Sequence, residues 1–175
     1  MDTSHENRLL RSFYRQDVLD LAPSLLGKSL YVVDSDGSLS EAIITETEAY
    51  RGGDDMACHA SKGRTERTDI MFGDGGHVYM YLIYGMYWML NVVSATAEIP
   101  QAVLIRGIGG TEGPGRLTRQ LGLDASFKGE DLVTSNRIWI GGGGLNPEFR
   151  AAPRVGIDYA GEPWISMPWR FLMIL

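Results

Sequence analysis

The sequence predicts an α+β fold of antiparallel hairpins and short helices, and three observations carry that prediction. Two pairs of apolar runs, 30–33 with 42–50 and 78–83 with 87–93, are each separated by turn-forming residues, the pattern of a β-hairpin. Helical periodicity is confined to two brief stretches, 17–26 and 114–121. The 22 glycines and 7 prolines among 175 residues favour frequent turns over long helices. A chain of this length suffices for one domain over residues 1–175, with a single core that buries about two-thirds of the unfolded surface.

In chain order, Asp17 opens an amphipathic helix with Val18, Leu21, Leu25 and Leu26 at helical spacing, interrupted by Pro23 and stopped by Gly27. The first hairpin turns at Asp34-Ser35-Asp36-Gly37, so its second strand runs to Tyr50 and puts Glu48 near a strand end. Gly52-Gly53 terminates that strand, and Asp54 or Asp55 caps a helical turn through Met56, Ala57, Cys58 and His59. The second hairpin carries Tyr84-Gly85-Met86 at its tip. Residues 101–106 form a buried-type strand ending in Arg106, and Pro114 takes the first position of a short helix that stops at Gly122. A glycine loop at 141–144 and strands at 138–140, 154–157 and 169–175 complete the chain.

The single cysteine, Cys58, excludes an intrachain disulfide, and the absence of an apolar leader or of a run of about 18 apolar residues predicts a cytoplasmic chain without a membrane role. His5, His59, His77 and Cys58 lack ligand spacing, and the H-x-E with C-x-x-C pairing of zinc deaminases is missing, so no metal or other cofactor is expected. A net charge of −6 argues against coating nucleic acid by charge alone. Locally the balance differs. Lys62, Arg64 and Arg67 surround Glu66, and the following segment 70–97 carries Asp74 as its only expected ionised side chain.

Three features bear on chemistry. Strand alternation puts Ile44, Glu46, Glu48 and Tyr50 on one face and Thr45, Thr47 and Ala49 on the other; a face with two carboxylates and a phenol is either solvated or one wall of a site. His59 is either an ordinary hydrogen-bonded histidine or a polar wall beside Tyr50 and Glu48. The stripe from Tyr79 to Tyr87 is either core or a platform for stacked bases. Tyr84 stands out, because a large side chain exposed beside a turn glycine calls for a partner to bury it, and an opened base-pair step is such a partner.

Glu46-Thr47-Glu48-Ala49-Tyr50, His59, Met71-Phe72, Tyr81-Leu82-Ile83-Tyr84-Gly85-Met86-Tyr87 and Asn91 together resemble the alkyladenine (3-methyladenine) DNA glycosylase family. The likeness continues through Leu25-Leu26-Gly27-Lys28, Gly113-Pro114-Gly115-Arg116-Leu117, Arg154-Val155-Gly156 and Pro168-Trp169-Arg170-Phe171, so it spans nearly the whole chain. The resemblance implies a single mixed domain with a curved antiparallel sheet, peripheral short helices and a protruding β-hairpin that enters the DNA minor groove. It further implies a monomeric, metal-free enzyme that extrudes a damaged purine from double-stranded DNA and hydrolyses its bond to deoxyribose, the first step of base excision repair at the nucleoid. By the same resemblance Glu48 is the general base, Tyr50, His59 and Tyr81 are base-pocket walls, Asn91 is the selectivity residue and Arg106 lies near the pocket. Tyr84 is the intercalating tip with Met86 beside it.

The chemistry suits those residue types. Purine release passes through an oxocarbenium-like sugar, which a nearby carboxylate stabilises while taking a proton from the attacking water. A 3-methyladenine or 7-methylguanine already carries positive charge and leaves readily, whereas hypoxanthine or ethenoadenine needs a proton. A cationic base stacked on Tyr50 or Tyr81 gains about 1–2 kcal/mol when desolvated. Asn91 is placed to reject the exocyclic amino group of guanine. Lys62, Arg64 and Arg67 are expected to contact phosphates, weakly and with salt sensitivity given the acidic chain and Glu66. Glu46 either fixes the strand or tunes Glu48. Two competing readings are a non-catalytic damage reader, which leaves the general base without purpose, and a single-stranded RNA-binding module, which leaves Glu48 unexplained.

Overall fold

Strand pairing in a computed structural model, which describes residues 7–175, is antiparallel throughout. The strands are β1 (Ser29–Val33), β2 (Leu39–Tyr50), β3 (Val78–Ile83), β4 (Tyr87–Ser94), β5 (Gln101–Ile108), β6 (Thr111–Glu112), β7 (Ile138–Gly141), β8 (Phe149–Ala152) and β9 (Arg170–Met173). Three short helices, α1 (Arg11–Tyr14), α2 (Val18–Ser24) and α3 (Pro114–Gln120), accompany them. The main strand order is β3-β4-β5-β2-β1-β7, with β9 on β2 and β8 on β9. This is a mixed α+β fold with an open sheet.

The sheet turns on β2. Its first half pairs with β1 from Leu39 to Ile43; its second half pairs with β5 on one side and with β9 on the other. The core side of the sheet carries Ile44, Ala49, Leu90, Val92, Val103 and Ile105 against Val18, Leu21 and Leu25. The Asp17 side chain accepts from Leu19 N and so starts α2, whose apolar stripe is held to the sheet by Thr47 Oγ1 donating to Ala22 O at 2.8 Å. Pro23 falls in the last turn, where the helix is already ending.

Three expectations need correction, and one strand was missed. Ile44 does not share a face with Glu46: register shifts flank Glu46 in the β2–β5 ladder, and the bulge puts Ile44 on the core side with Ala49. Residues 154–157 form a loop instead of a strand, because Arg154 is drawn into a buried ion pair and the Val155 N–H donates to Glu48 rather than to a ladder. The segment after Gly53 makes turns, and a 3-10 helix begins only at His59 (His59–Lys62). β8 was not anticipated; Phe149-Arg150-Ala151-Ala152 has no apolar alternation, since it is an exposed edge strand.

Candidate active site

A cavity of about 400 Å³ opens beside the second half of β2, bounded by β3, β4 and β5, by the turn around Ala57–His59 and by the loop Val155–Tyr159. Tyr50, His59, Tyr81, Tyr84, Asn91 and Arg106 all line it. The structure therefore brings together six of the residues singled out in the sequence, drawn from four separate segments. A second cluster of buried residues, including Cys58, Met71, Tyr79 and Ala102, forms the floor.

Glu48 lies behind this lining. It is fully buried, and its carboxylate accepts from the Tyr50 hydroxyl on Oε2 at 2.6 Å and from Val155 N on Oε1 at 2.8 Å. The Arg106 Nε stands 3.4 Å from the same Oε1. A carboxylate has about four acceptor sites, so these contacts leave room for one further donor. Burial pushes the Glu48 carboxyl above the usual carboxylate range, opposed by Arg106, the Tyr50 hydroxyl, the Val155 amide and Arg154. The group is thus more basic than a surface glutamate and closed over by the loop at Val155.

The walls are aromatic and neutral. Burial drives the Tyr50 and Tyr81 phenols upward, so both remain protonated donors. His59 Nδ1 lies 2.9 Å from the Tyr79 hydroxyl, and its ring stands edge-on to Tyr81 with centroids 4.5 Å apart. Burial first, then Arg67 and Lys62, lowers the His59 pKa to about 4, so the imidazole is uncharged near neutral pH. Asn91 is buried with its amide 3.4 Å from Met89 O. Behind Tyr50 sits Arg154, its guanidinium 4.9 Å from the ring centroids of both Tyr50 and Trp169, and paired with Asp55 at 2.6 and 2.9 Å.

The β3–β4 hairpin turns through Tyr84 and Gly85, with φ of 51° and 66°, closed by Met86 N donating to Ile83 O at 3.1 Å. Two successive positive φ values suit a hairpin turn and favour glycine or asparagine, so a tyrosine there carries a conformational cost of order 1 kcal/mol. Tyr84 is 87% exposed and Met86 57%. In the free protein the Tyr84 ring buries little of its surface.

The predicted phosphate-contacting cations are not equivalent. Lys62 and Arg67 are exposed, with Arg67 over the Tyr81 ring at 5.4 Å, whereas Arg64 is held by Asp69 at 2.6 Å and Glu98 at 3.2 Å. On the opposite flank of the hairpin, Arg116 and Arg119 of α3 edge a groove of about 520 Å³. Sequence reasoning missed these two, although their i, i+3 spacing on one helix was a usable signal. It also missed the Val155 amide and the Asp55–Arg154 pair. A backbone donor has no side-chain signature, and the pair joins positions 99 apart in sequence. Among the described residues no cluster of three or more His, Cys, Asp or Glu is arranged to hold a metal ion, and no helix is long and apolar enough to cross a membrane; His5 lies outside the described residues.

Comparison with known proteins places the chain in a family. The model of the methylpurine-DNA glycosylase family matches residues 12–110 and 109–174. A protein of Rickettsia felis, provisionally named a 3-methyladenine DNA glycosylase, is 44% identical over 172 residues, covering 94% of this chain and 92% of that protein. Relatives with the same provisional name from Legionella pneumophila and Methanocella arvoryzae are 43% and 41% identical, covering 94% and 93% of the chain and 93% and 90% of their own lengths. Likeness that runs from α1 to β9 on both sides of the cavity leads to one conclusion: the chain belongs to the methylpurine-DNA glycosylase family.

Proposed function

We propose that the chain excises damaged purines from double-stranded DNA as a monofunctional, monomeric glycosylase, with Glu48 as the general base that activates the attacking water. The observation that carries this reading is the buried Glu48 carboxylate, held basic behind a tyrosine-walled cavity of about 400 Å³, roomy enough for a purine. Tyr84 enters the stack and occupies the gap as the purine swings into the cavity between Tyr50 and the Tyr81–His59 pair. Movement of the loop at Val155 exposes the remaining acceptor site of Glu48 to water, which attacks the anomeric carbon as the base departs. The carboxylate stabilises the oxocarbenium-like sugar and takes the proton.

Substrates of this site are purines of the 3-methyladenine, 7-methylguanine, hypoxanthine and ethenoadenine class. Asn91 opposes the exocyclic amino group of guanine. His59, uncharged near neutral pH, is a hydrogen-bonding wall and not the proton source for a neutral leaving base. Lys62 and Arg67 on one flank of the hairpin, and Arg116 and Arg119 on the other, hold the two stretches of phosphate backbone that a bent duplex presents. Arg64 joins them only after leaving Asp69 and Glu98.

The test is a duplex carrying one 7-methylguanine or hypoxanthine, incubated with protein and then treated with alkali to break the strand at any abasic site. Glu48→Gln is expected to slow excision by about 10²–10⁴-fold while retaining binding to the lesion duplex. Normal cleavage by Glu48→Gln refutes the assignment of the base.

A further inference from the structure

Glu46 lies two residues before Glu48, and its carboxylate is committed to two cations. Oε1 accepts from Arg106 Nε at 3.2 Å and from Arg170 Nη1 at 3.1 Å, with side-chain exposures of 13%, 15% and 22% for Glu46, Arg106 and Arg170. Arg106 has a single Nε–H, and Glu48 Oε1 waits 3.4 Å from it. Two carboxylates therefore compete for one donor, and the hydrogen bond goes to Glu46.

Three features favour that outcome. The bulge in β2 turns Glu46 to the Arg106 side of the sheet. The residue paired with it on β5 is Gly107, where a Cβ would come within 3.1 Å of Glu46 Cβ and 3.5 Å of its Oε2, so only glycine leaves room for this placement. Arg170, on the strand that pairs with Glu46–Glu48, braces Glu46 from the far side while its Nε donates to Pro153 O at 2.8 Å, two residues before the amide that holds Glu48.

We propose that Glu46 is a positioning residue for the reaction: by holding the Arg106 Nε–H, it prevents that guanidinium from closing onto Glu48, and so preserves the basicity of the carboxylate and leaves its Oε1 with the Val155 amide as its hydrogen-bond donor. The proposal rests on Glu48 being the base. The groups facing Glu48 are Arg106 from β5, Tyr50 from its own strand, Arg154 and the Val155 amide from the loop, and Tyr81 and Tyr159 across the cavity. Arg106 is the largest of the influences that lower the Glu48 pKa. Without Glu46, that cation moves closer and a neighbouring negative charge is lost. Both changes favour the ionised carboxylate, so the pKa falls and the base weakens.

The experiment measures single-turnover excision of 7-methylguanine from duplex DNA against pH; this cationic base needs no proton, so the acid limb reports the ionisation of the base. For Glu46→Gln the limb is expected to move down by about one pH unit and the plateau to fall about tenfold. Glu46→Asp, which keeps the charge, moves it less. Arg170→Gln leaves Glu46 with Arg106 as its remaining cation and loosens the segment before Val155, so its limb moves up. A Glu46→Gln plateau that falls with the limb unmoved assigns a merely structural role and overturns the proposal, as does a limb that rises. If Glu46→Gln does not fold, Arg170→Gln decides, and an unmoved limb there overturns it equally. Glu48→Gln in the same assay separates the two ideas: full activity there overturns the base itself, whereas loss of activity there with an unmoved Glu46→Gln limb overturns only the positioning role.

Discussion

Replacing Arg154 with methionine keeps a long apolar stem between Tyr50 and Trp169 but deletes the cation. The structure gives the magnitude. Arg154 donates to both oxygens of Asp55 and to Ala49 O, and the Arg154 and Asp55 side chains are both completely buried. The variant leaves the Asp55 carboxylate in the interior with only the amides of Arg51 and Ala57, at 3.0 and 3.1 Å, as donors. An uncompensated buried charge of this kind costs about 3–5 kcal/mol, a large part of the roughly 5–15 kcal/mol that holds a domain folded. At about 2–4 °C per kcal/mol for a chain of this size, the midpoint of thermal unfolding drops by about 6–20 °C. Differential scanning calorimetry on the wild type, Arg154→Met and the double variant Arg154→Met/Asp55→Asn measures this, and the double variant recovers much of the loss because no charge is left buried. A single-variant cost under about 1 kcal/mol, the scale of an exposed pair, would falsify the account of Arg154 as an internal strut.

Further expectations concern the tip, the histidine and the basic loop. Tyr84→Asn relieves the positive-φ cost at the hairpin turn, so the free protein is as stable as the wild type or slightly more so, while lesion capture measured by fluorescence anisotropy weakens by about 5- to 150-fold, the scale of about 1–3 kcal/mol for a lost base–aromatic contact; unchanged capture argues against insertion. His59 has a folded pKa near 4 against 6.5 for the free side chain. The unfolded chain therefore binds the proton first, and stability is lost as pH falls from about 6.5 to about 4. Denaturant titrations across that window should show a shallower decline for His59→Gln, and an unchanged decline removes His59 as the cause. Arg67→Gln should reduce the slope of log affinity against log salt by about 0.9, and Arg64→Gln by less, because Arg64 must first abandon Asp69 and Glu98. Equal slopes for the two variants count against that difference.

Both hairpins were legible because paired apolar runs flank turn residues, α2 because its Asp17 cap and apolar spacing agree, and α3 because Pro114, the leucine spacing and the stop at Gly122 agree. The acidic face of β2 was legible from Glu46 to Tyr50 and wrong at Ile44. Alternation is a property of one strand, whereas the bulge that breaks it depends on Gly107 across the ladder. The cavity lining could be named because side chains with distinctive chemistry recur in order along the chain. What surrounds Glu48 could not be. The Val155 amide is anonymous in a sequence, and Arg154 and Arg170 look like surface cations until folding carries them more than a hundred residues back along the chain, to Ala49 and Glu46.

The shared strand β2 has a mechanical consequence for how such a protein tolerates change. The β1–β2 ladder ends at Ile43, and the ladders that aim Glu48 begin only at Ile44 on β5 and at Glu46 on β9. Insertions or deletions in the exposed turn at 34–38 pull on the first set of hydrogen bonds alone, and the irregular register between the two sets absorbs the residual twist. The outer hairpin is therefore free to drift in length and sequence without re-aiming the carboxylate. An added residue between Thr45 and Tyr50, by contrast, would send every side chain beyond it to the opposite face.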